Sequence, residues 1–415
     1  MKKSVTLGFK YRLYPSEHQK EMLNHQMFIS NQAYNICLNL KQKEWEKNRN
    51  LEKKERKYFK PAQLDKLVKD GLKERELPFK TVVTQQARKN FEKANKNMFD
   101  SGFGSPKFKN SRLEKQSFTW NNQGFKIVEK NKKFKYLRLW RENILVRFHR
   151  ELPENYKISS IHISKDNGKY FVSFSVTFDV LISENIDISK AIGIDLNIED
   201  IALSDGNLIK TNSKEIGKLK YQKRMLQLQR KQSRRVLKAK KSKQKLGSNF
   251  RKTQKKLNST FTKVKNQKSD HYHKVTSELS EKFDLIVVED LKNRNMTKKG
   301  SSRKKGLNRS ILNTSFYQFV QFLEYKTSML NGKQFLKVPP HYTSKTCFNC
   351  GNINRDLKLS DRVFECSECG YSEHRDINAS KNILQKGLKS LGSGTDLQTI
   401  TENLSNSVSS SDKVS

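Results

Sequence analysis

The chain has 415 residues, five of them cysteine, and carries 84 Lys and Arg against 42 Asp and Glu, a formal net charge of +42. Such a length suits roughly two to four domains, and the cation excess is far beyond what solubility needs, so it predicts a polyanionic partner, nucleic acid first. The N-terminal MKKSVTLGFKYRLYPS lacks a long apolar region and the longest strongly apolar run is LIVV at 285–288, so neither a signal peptide nor a membrane partner is expected. The expected compartment is the reducing cytoplasm of a prokaryote, where clustered cysteines point to metal rather than disulfide.

Val5, Leu7, Phe9, Tyr11 and Leu13 alternate with polar residues and predict a half-buried strand. Pro15-Ser16 then opens a helical stretch. Within it Cys37 lies among apolar residues and is expected to be a core thiol. Helical, polar sequence continues to about Ser111, most clearly over Thr81–Phe99, and GFGSPKFKN (102–110) ends that helix. Strand patterns return near Phe118, in LRLW (137–140), in ILVRF (144–148) and over Ile158–Phe178. The last is a hairpin, because Asn167-Gly168 supplies the positive φ values of a type I′ turn. The first strand is expected to join these later ones in a small barrel, which makes the helical block an insertion.

A second unit begins near Lys190, with IGIDL as a strand and an Asp205-Gly206 turn before the next strand. From Thr211 to Asp270 stand 21 Lys and Arg against two acids, Glu215 and Asp270. Leu246, Phe250, Leu257, Phe261 and Val264 keep helical spacing, and Gly247-Ser248 marks a break. Two antiparallel helices with a basic outer face are predicted. That face is either simply solvated or turned towards phosphates, and mutual repulsion of so many cations favours phosphates. His271 and His273, two apart on a helix, point to different faces and make a poor metal pair. LIVV reads as a strand buried on both faces. KKGSSRKKG (298–306) reads as a flexible basic loop, SFYQFVQFLEYKTSML as an amphipathic helix, and KQFLKVPP as a strand stopped by Pro339-Pro340. Past Ser390 the Ser-, Gly- and Asn-rich tail is expected to be disordered.

Two motifs carry chemistry. Cys347-x2-Cys350 and Cys366-x2-Cys369 are separated by 15 residues, the spacing of a ribbon that grips one zinc ion with four thiolates. Four sulfurs leave no open position, so this zinc is structural. The second motif is three carboxylates. Asp195 lies inside an apolar strand, where a charge is costly without a partner or a task. Glu289, next to Asp290, ends LIVV and could be a solvated strand end. Asp376 opens INASKNIL and could be a helix N-cap. Together they could converge at one end of a sheet and bind two Mg2+ ions about 3.5–4 Å apart for hydrolysis of a phosphodiester, with Arg375 adding positive charge at the reacting phosphorus.

The segments GIDLNIEDIALSDG, VVEDLKNRNM and PPHYTSKTCFNCGN…FECSECGYSEHRDINASKNI resemble the split RuvC nuclease and zinc-ribbon signature of the TnpB family of insertion-sequence proteins. FKYRLYPS, GSPKFK, SFTWNNQGFKI and LRLW are also similar, so the likeness runs from about residue 4 to 390. It implies an α+β multidomain chain. A wedge β-barrel (1–14 and 112–188) carries a helical recognition domain (15–111). An RNase H-like RuvC α/β domain (189–342 and 372–390) follows, with a basic helical hairpin at 211–282, an inserted zinc ribbon at 343–371 and a disordered tail at 391–415.

The resemblance further implies an RNA-guided DNA endonuclease that binds a structured transposon-end RNA (omega RNA) and double-stranded target DNA, on the nucleoid when engaged. Asp195, Glu289 and Asp376 then hold magnesium, and Arg375 matches a family arginine. Lys223, Arg224, Arg230, Arg234 and Arg235 are candidates for phosphate contact. Gln85 and Gln86 are candidates for reading a short target-adjacent motif, or are ordinary surface residues. Asn197 and His374 depart from the family pattern without removing a ligand. A CRISPR-derived guide with the same chemistry, or a nuclease-independent repressor, is the alternative; the intact acid triad argues against the repressor.

Overall fold

A computed structural model describes residues 2–99, 103–110, 115–181, 186–210, 219–298, 300–358 and 361–391. The expected tail, Leu391 excepted, lies outside the described residues, as do 211–218 at the start of the basic stretch and 112–114 where the barrel was to resume. The chain divides into two compact units, Ser4–Asp179 and Val180–Ser415, the latter with the first three residues.

In the first unit, strand β1 (Lys2–Tyr14) is followed by helices α1 (Glu17–Asn48), α2 (Pro61–Lys73) and α3 (Thr81–Asn97), then by strands β2 (Gln116–Asn121), β3 (Phe125–Glu129), β4 (Phe134–Leu139), β5 (Glu142–Arg147), β6 (Lys157–Asp166) and β7 (Lys169–Leu181). All seven strands form one sheet in the order β2-β6-β7-β1-β5-β4-β3, so the helices interrupt a single sheet. Alternating residues bury one face, with Tyr11 stacked on Phe148 at 4.2 Å. Ser16 caps α1 through a capping box with Gln19. Cys37 is buried, and burial pushes its thiol up to about 12, as suits a core residue. Arg88 ties α3 to α2 through Asp65 at 2.8 Å.

Asn167 and Gly168 have φ of 54° and 74°, the expected β6–β7 turn. A second turn of this kind is a correction to the sequence reading. Trp140 does not end a strand: Leu139 pairs with Glu142, and Trp140 and Arg141 take φ of 53° and 71°. Non-glycine residues pay for this conformation. Here Trp140 gains aromatic contacts, stacked on Phe118 at 6.0 Å and edge-on to Trp120 at 5.3 Å.

The second unit contains β8 (Ala191–Leu196), β9 (Asp200–Leu203), β10 (Leu208–Lys210), α4 (Leu219–Lys241), α5 (Ser248–Lys282), β11 (Leu285–Glu289), α6 (Asn293–Met296), α7 (Ser302–Thr314), α8 (Phe316–Thr327), β12 (Gln334–Val338), β13 (Val363–Glu365), β14 (Ser372–His374) and α9 (Arg375–Ser390). A five-stranded sheet has the order β10-β9-β8-β11-β12, with β11 parallel to both neighbours. Every residue of β8 and β11 is buried, because the sheet is covered on both faces. Ile192, Ile194, Ile286 and Val288 face Tyr272 and Leu279 of α5 and Phe319 and Leu323 of α8. Ala191, Leu285 and Val287 face Ile383, Leu384 and Leu388 of α9. The basic stretch is the predicted helical hairpin, broken at Gly247. The flexible loop expected over 298–306 is overturned from Ser302 onward. Ser301 accepts a hydrogen bond from the Lys304 N–H and starts α7, and Ile311 anchors that helix in the core.

Candidate metal and nuclease site

Asp195 is the penultimate residue of β8 and Glu289 the last of β11. Val288 pairs with Ile194 in parallel register, which brings the two acids side by side at the C-terminal ends of neighbouring strands. Open α/β sheets place their ligands beyond that edge. Asp376 comes from α9, whose approach to the sheet depends on two glycines. A Cβ on Gly193 would lie 2.1 Å from the Ser380 carbonyl oxygen, and one on Gly387 would lie 2.5 Å from a Val287 methyl. Both are closer than atoms can pack, so the helix reaches β8 and β11 only because these side chains are missing.

Asp195 and Glu289 are each 9% exposed. Burial, then the charges of Glu289 and Asp376, push Asp195 up to about 7, against a 2.7 Å hydrogen bond donated by the Asn197 amide. Burial also raises Glu289, opposed by a hydrogen bond from the Thr343 hydroxyl and by the Lys386 charge. Carboxylates crowded out of water in this way hold a deficit of positive charge, which a divalent cation would fill. The donor set, all oxygen, suits magnesium. The N-cap reading of Asp376 is corrected: His374 occupies the cap position and Asp376 stands inside the first turn. An acid there still benefits from the helix dipole.

Arg375 is directed elsewhere than expected. Its N–H bonds to the Arg362 carbonyl at 2.9 Å, and Nη1 donates to the Lys358 carbonyl at 3.0 Å, both in the loop leading to β13. Thr343 was not anticipated; only a hydroxyl between the double proline and the first cysteine marked it. Asn197, noted as a departure, turns out to be the partner of Asp195.

The four cysteines converge fully. Their sulfurs lie within 4.8 Å of one another, with 3.7 Å from Cys347 to Cys369 and 3.5 Å from Cys350 to Cys366. The three carboxylates do not all come within that spacing. Gly351 and Gly370, at φ of 78° and 67°, close the two knuckles. N–H groups of Cys369 and Glu368 draw the Cys366 thiol down to about 6, while burial pushes Cys347 up to about 12. Four thiols so close cannot all ionise together without a cation. This set of four soft donors fits zinc.

Of the basic candidates, Lys223, Arg224, Arg230 and Arg234 are exposed on α4. Arg235 is half-buried and spends Nη1 on the Asn249 carbonyl at 2.9 Å and the Thr253 hydroxyl at 2.7 Å, pinning the hairpin. Gln85 and Gln86 are half-buried on α3. His273 stacks on Phe322 at 3.8 Å, a packing role. No helix among the described residues is long and apolar enough to cross a membrane.

Comparison with known proteins agrees with this architecture. Residues 316–383 match the model described as "Cas12f1-like, TNB domain". Residues 174–300 match the OrfB_IS605 model, "Probable transposase", and residues 1–50 the helix-turn-helix model of OrfB_IS605. In the structure that last region is a strand and one long helix. The chain is 32% identical over 328 residues to the "Putative RNA-guided DNA endonuclease InsQ" of Escherichia coli (strain K12), covering 76% of each. It is 27% identical over 408 residues to a "Putative RNA-guided DNA endonuclease" of Streptomyces pristinaespiralis, covering 95% of this chain and 92% of the relative. A cryo-EM structure of a Cas12f1-sgRNA-target DNA complex superposes with TM-score 0.55 over 92% of the chain at 14% identity, which speaks for a shared fold.

Proposed function

This chain belongs to the TnpB family of insertion-sequence proteins, and from that premise we propose that it is a transposon-encoded RNA-guided DNA endonuclease with a RuvC-type site. The observation that carries the reading is the edge-sharing pair of buried carboxylates, Asp195 and Glu289, faced by Asp376 on a helix seated against two glycines. A transposon rather than a CRISPR setting is favoured by the extent of likeness. It spans 76% of InsQ but 18% of the Cas12f1 of Sulfoacidibacillus thermotolerans, which is 36% identical over 75 residues.

Asp195, Glu289 and Asp376 would hold the magnesium ions. When bound, the ions supply the Lewis acidity that lets water displace a phosphodiester oxygen in line. Asn197 holds Asp195 and Thr343 holds Glu289, each by a donated hydrogen bond that restrains the carboxylate. Arg375 anchors the loop before β13 beside the site, and contact with a phosphate would require it to leave the Lys358 carbonyl. One zinc ion in the four cysteines is structural. The exposed cations of α4 suit the phosphates of a guide–target duplex. The guide supplies sequence recognition by pairing, so the protein need only hold backbone and read a short adjacent motif, for which Gln85 and Gln86 are the candidates. The domain plan follows the family: wedge 1–14 and 112–188, recognition helices 15–111, nuclease 189–342 and 372–390, ribbon 343–371.

Sequencing of RNA that co-purifies with the protein is expected to return one discrete structured species, and absence of any such species would sink guidance. Asp195→Ala is expected to lower Mg2+-dependent cutting by about a thousand-fold, roughly 4 kcal/mol of barrier, while RNA binding persists. Undiminished cutting by that variant would refute the site.

A further inference from the structure

The segment joining β12 to the first zinc knuckle touches both metal centres. Asn378, on the first turns of α9 and two residues beyond Asp376, is fully buried. Its Oδ1 accepts from the Phe348 N–H at 3.0 Å and its Nδ2 donates to the Thr346 carbonyl at 2.8 Å. Those two peptide groups flank Cys347. One amide therefore grips the backbone on both sides of a zinc ligand, with both its ends satisfied. One turn further along, Asn382 is 3% exposed and its Nδ2 donates to the carbonyls of Thr343 at 2.9 Å and Thr346 at 2.6 Å. Thr343 in turn donates its hydroxyl to Glu289.

The bonds thus run from Cys347 through Asn378 into the turn that bears Asp376, and from Asn382 through Thr343 to Glu289. Buried polar side chains are costly when unpaired, so these bonds are held firmly. A buried amide in a helix facing a sheet could have been an apolar residue if packing were its only task. Here each amide holds the ribbon segment in one register against α9. Groups that orient metal-ligating carboxylates from behind typically change metal affinity by about ten- to a hundred-fold when removed.

We propose that Asn378, Asn382 and Thr343 are positioning residues through which the zinc knuckle sets the places of Asp376 and Glu289, so that the zinc and divalent-cation sites are energetically linked. This rests on the nuclease reading above and adds to it a dependence in both directions. Linkage between two binding sites is reciprocal: zinc must strengthen divalent-cation binding by the factor by which the cation strengthens zinc.

The test uses the full chain bound to its guide RNA, with Mn2+ as a paramagnetic probe of the acidic site and a chromophoric chelator to time zinc release. Neither measurement requires turnover. Asn378→Ala is expected to weaken Mn2+ binding by about ten-fold and to speed zinc release by a similar factor. Thr343→Val is expected to weaken Mn2+ binding by about as much and to leave zinc release unchanged, since its bond reaches only Glu289. Thr343→Ser, which restores the hydroxyl, is expected to recover Mn2+ affinity. Asn378→Asp keeps the acceptor for the Phe348 N–H and serves if the alanine variant does not fold; it too should speed zinc release, through loss of the donor to Thr346. Wild-type Mn2+ affinity in both Asn378→Ala and Thr343→Val, or in zinc-stripped wild-type protein, would overturn the linkage while leaving the nuclease reading intact. A wild-type protein that neither binds Mn2+ nor cuts would overturn the nuclease reading itself, and the linkage with it.

Discussion

The two candidate metal centres of the second unit are assembled in opposite ways. The cysteine cluster is built from one short stretch, Cys347 to Cys369, as two knuckles each closed by a left-handed glycine and by N–H groups aimed at sulfur. The acidic cluster draws Asp195, Glu289 and Asp376 from three separate elements and depends on strand register and on a helix seated against glycines. The first is a local solution, closed by short loops at small entropic cost. The second exists only once the whole sheet has formed. A four-cysteine cluster can thus be specified by spacing alone, whereas a cluster of carboxylates from separate elements is a property of the packed domain and is held there against charge repulsion.

The contrast can be broken most severely at the ribbon. Cys366→Ser is expected to reduce bound zinc from about one atom per chain to about none, because structural zinc sites fold with their metal. Hydrogen exchange should show β13 and β14 losing protection while β8 and β11 keep theirs. Loss of protection throughout the sheet would mean that the ribbon is no local unit. A smaller effect is expected from Gly193→Ala, which sets a methyl against the Ser380 carbonyl oxygen, a backbone atom that cannot rotate away. Overpacking of this kind costs about 1–3 kcal/mol. Urea unfolding should register that loss, and metal analysis should find zinc retained.

The smallest effect is one of pH. Asp195 in the folded chain lies near 7, above its ordinary carboxylate value, so the folded state holds the proton more tightly than the unfolded one. Its contribution to stability is complete below the unfolded value near 4 and is lost as pH rises through about 7. Metal-free protein should therefore melt at a lower temperature at pH 8 than at pH 5. Asp195→Asn should raise the pH 8 melting point by about 2–4 °C and flatten that slope, at the expense of cutting. A melting point that rises with pH in the wild type and is untouched by Asp195→Asn would show that Asp195 holds no raised pKa in the folded chain.

Much of this was legible in residue order. The tetracysteine spacing, the buried run LIVV, the Asn167-Gly168 turn and the break at Gly247 each act through local sterics or period, and each appears where expected. Three departures from the sequence reading share a cause. Trp140 left its strand because aromatic neighbours from elsewhere in the sheet reward a backbone conformation that its own residue type disfavours. Residues 302–306 became helix because Ser301 caps them and Ile311 finds a core that basic composition could not reveal. Arg235 reads like its neighbour Arg234, yet the turn of α4 aims one outward and the other at α5.

The charge excess, the four-cysteine spacing and the carboxylate inside an apolar strand are legible in residue order, because each carries its chemistry wherever the chain goes. Which groups stand behind the three acids is set by the packed fold. Asn197, Thr343, Asn378 and Asn382 are ordinary polar residues in the sequence. They became partners of the two clusters because parallel register brings Asp195 beside Glu289, and because missing side chains at Gly193 and Gly387 let α9 press close enough to clamp the segment that carries Cys347. Hydrogen bonds fall off over tenths of an ångström, and no periodicity encodes distances that fine.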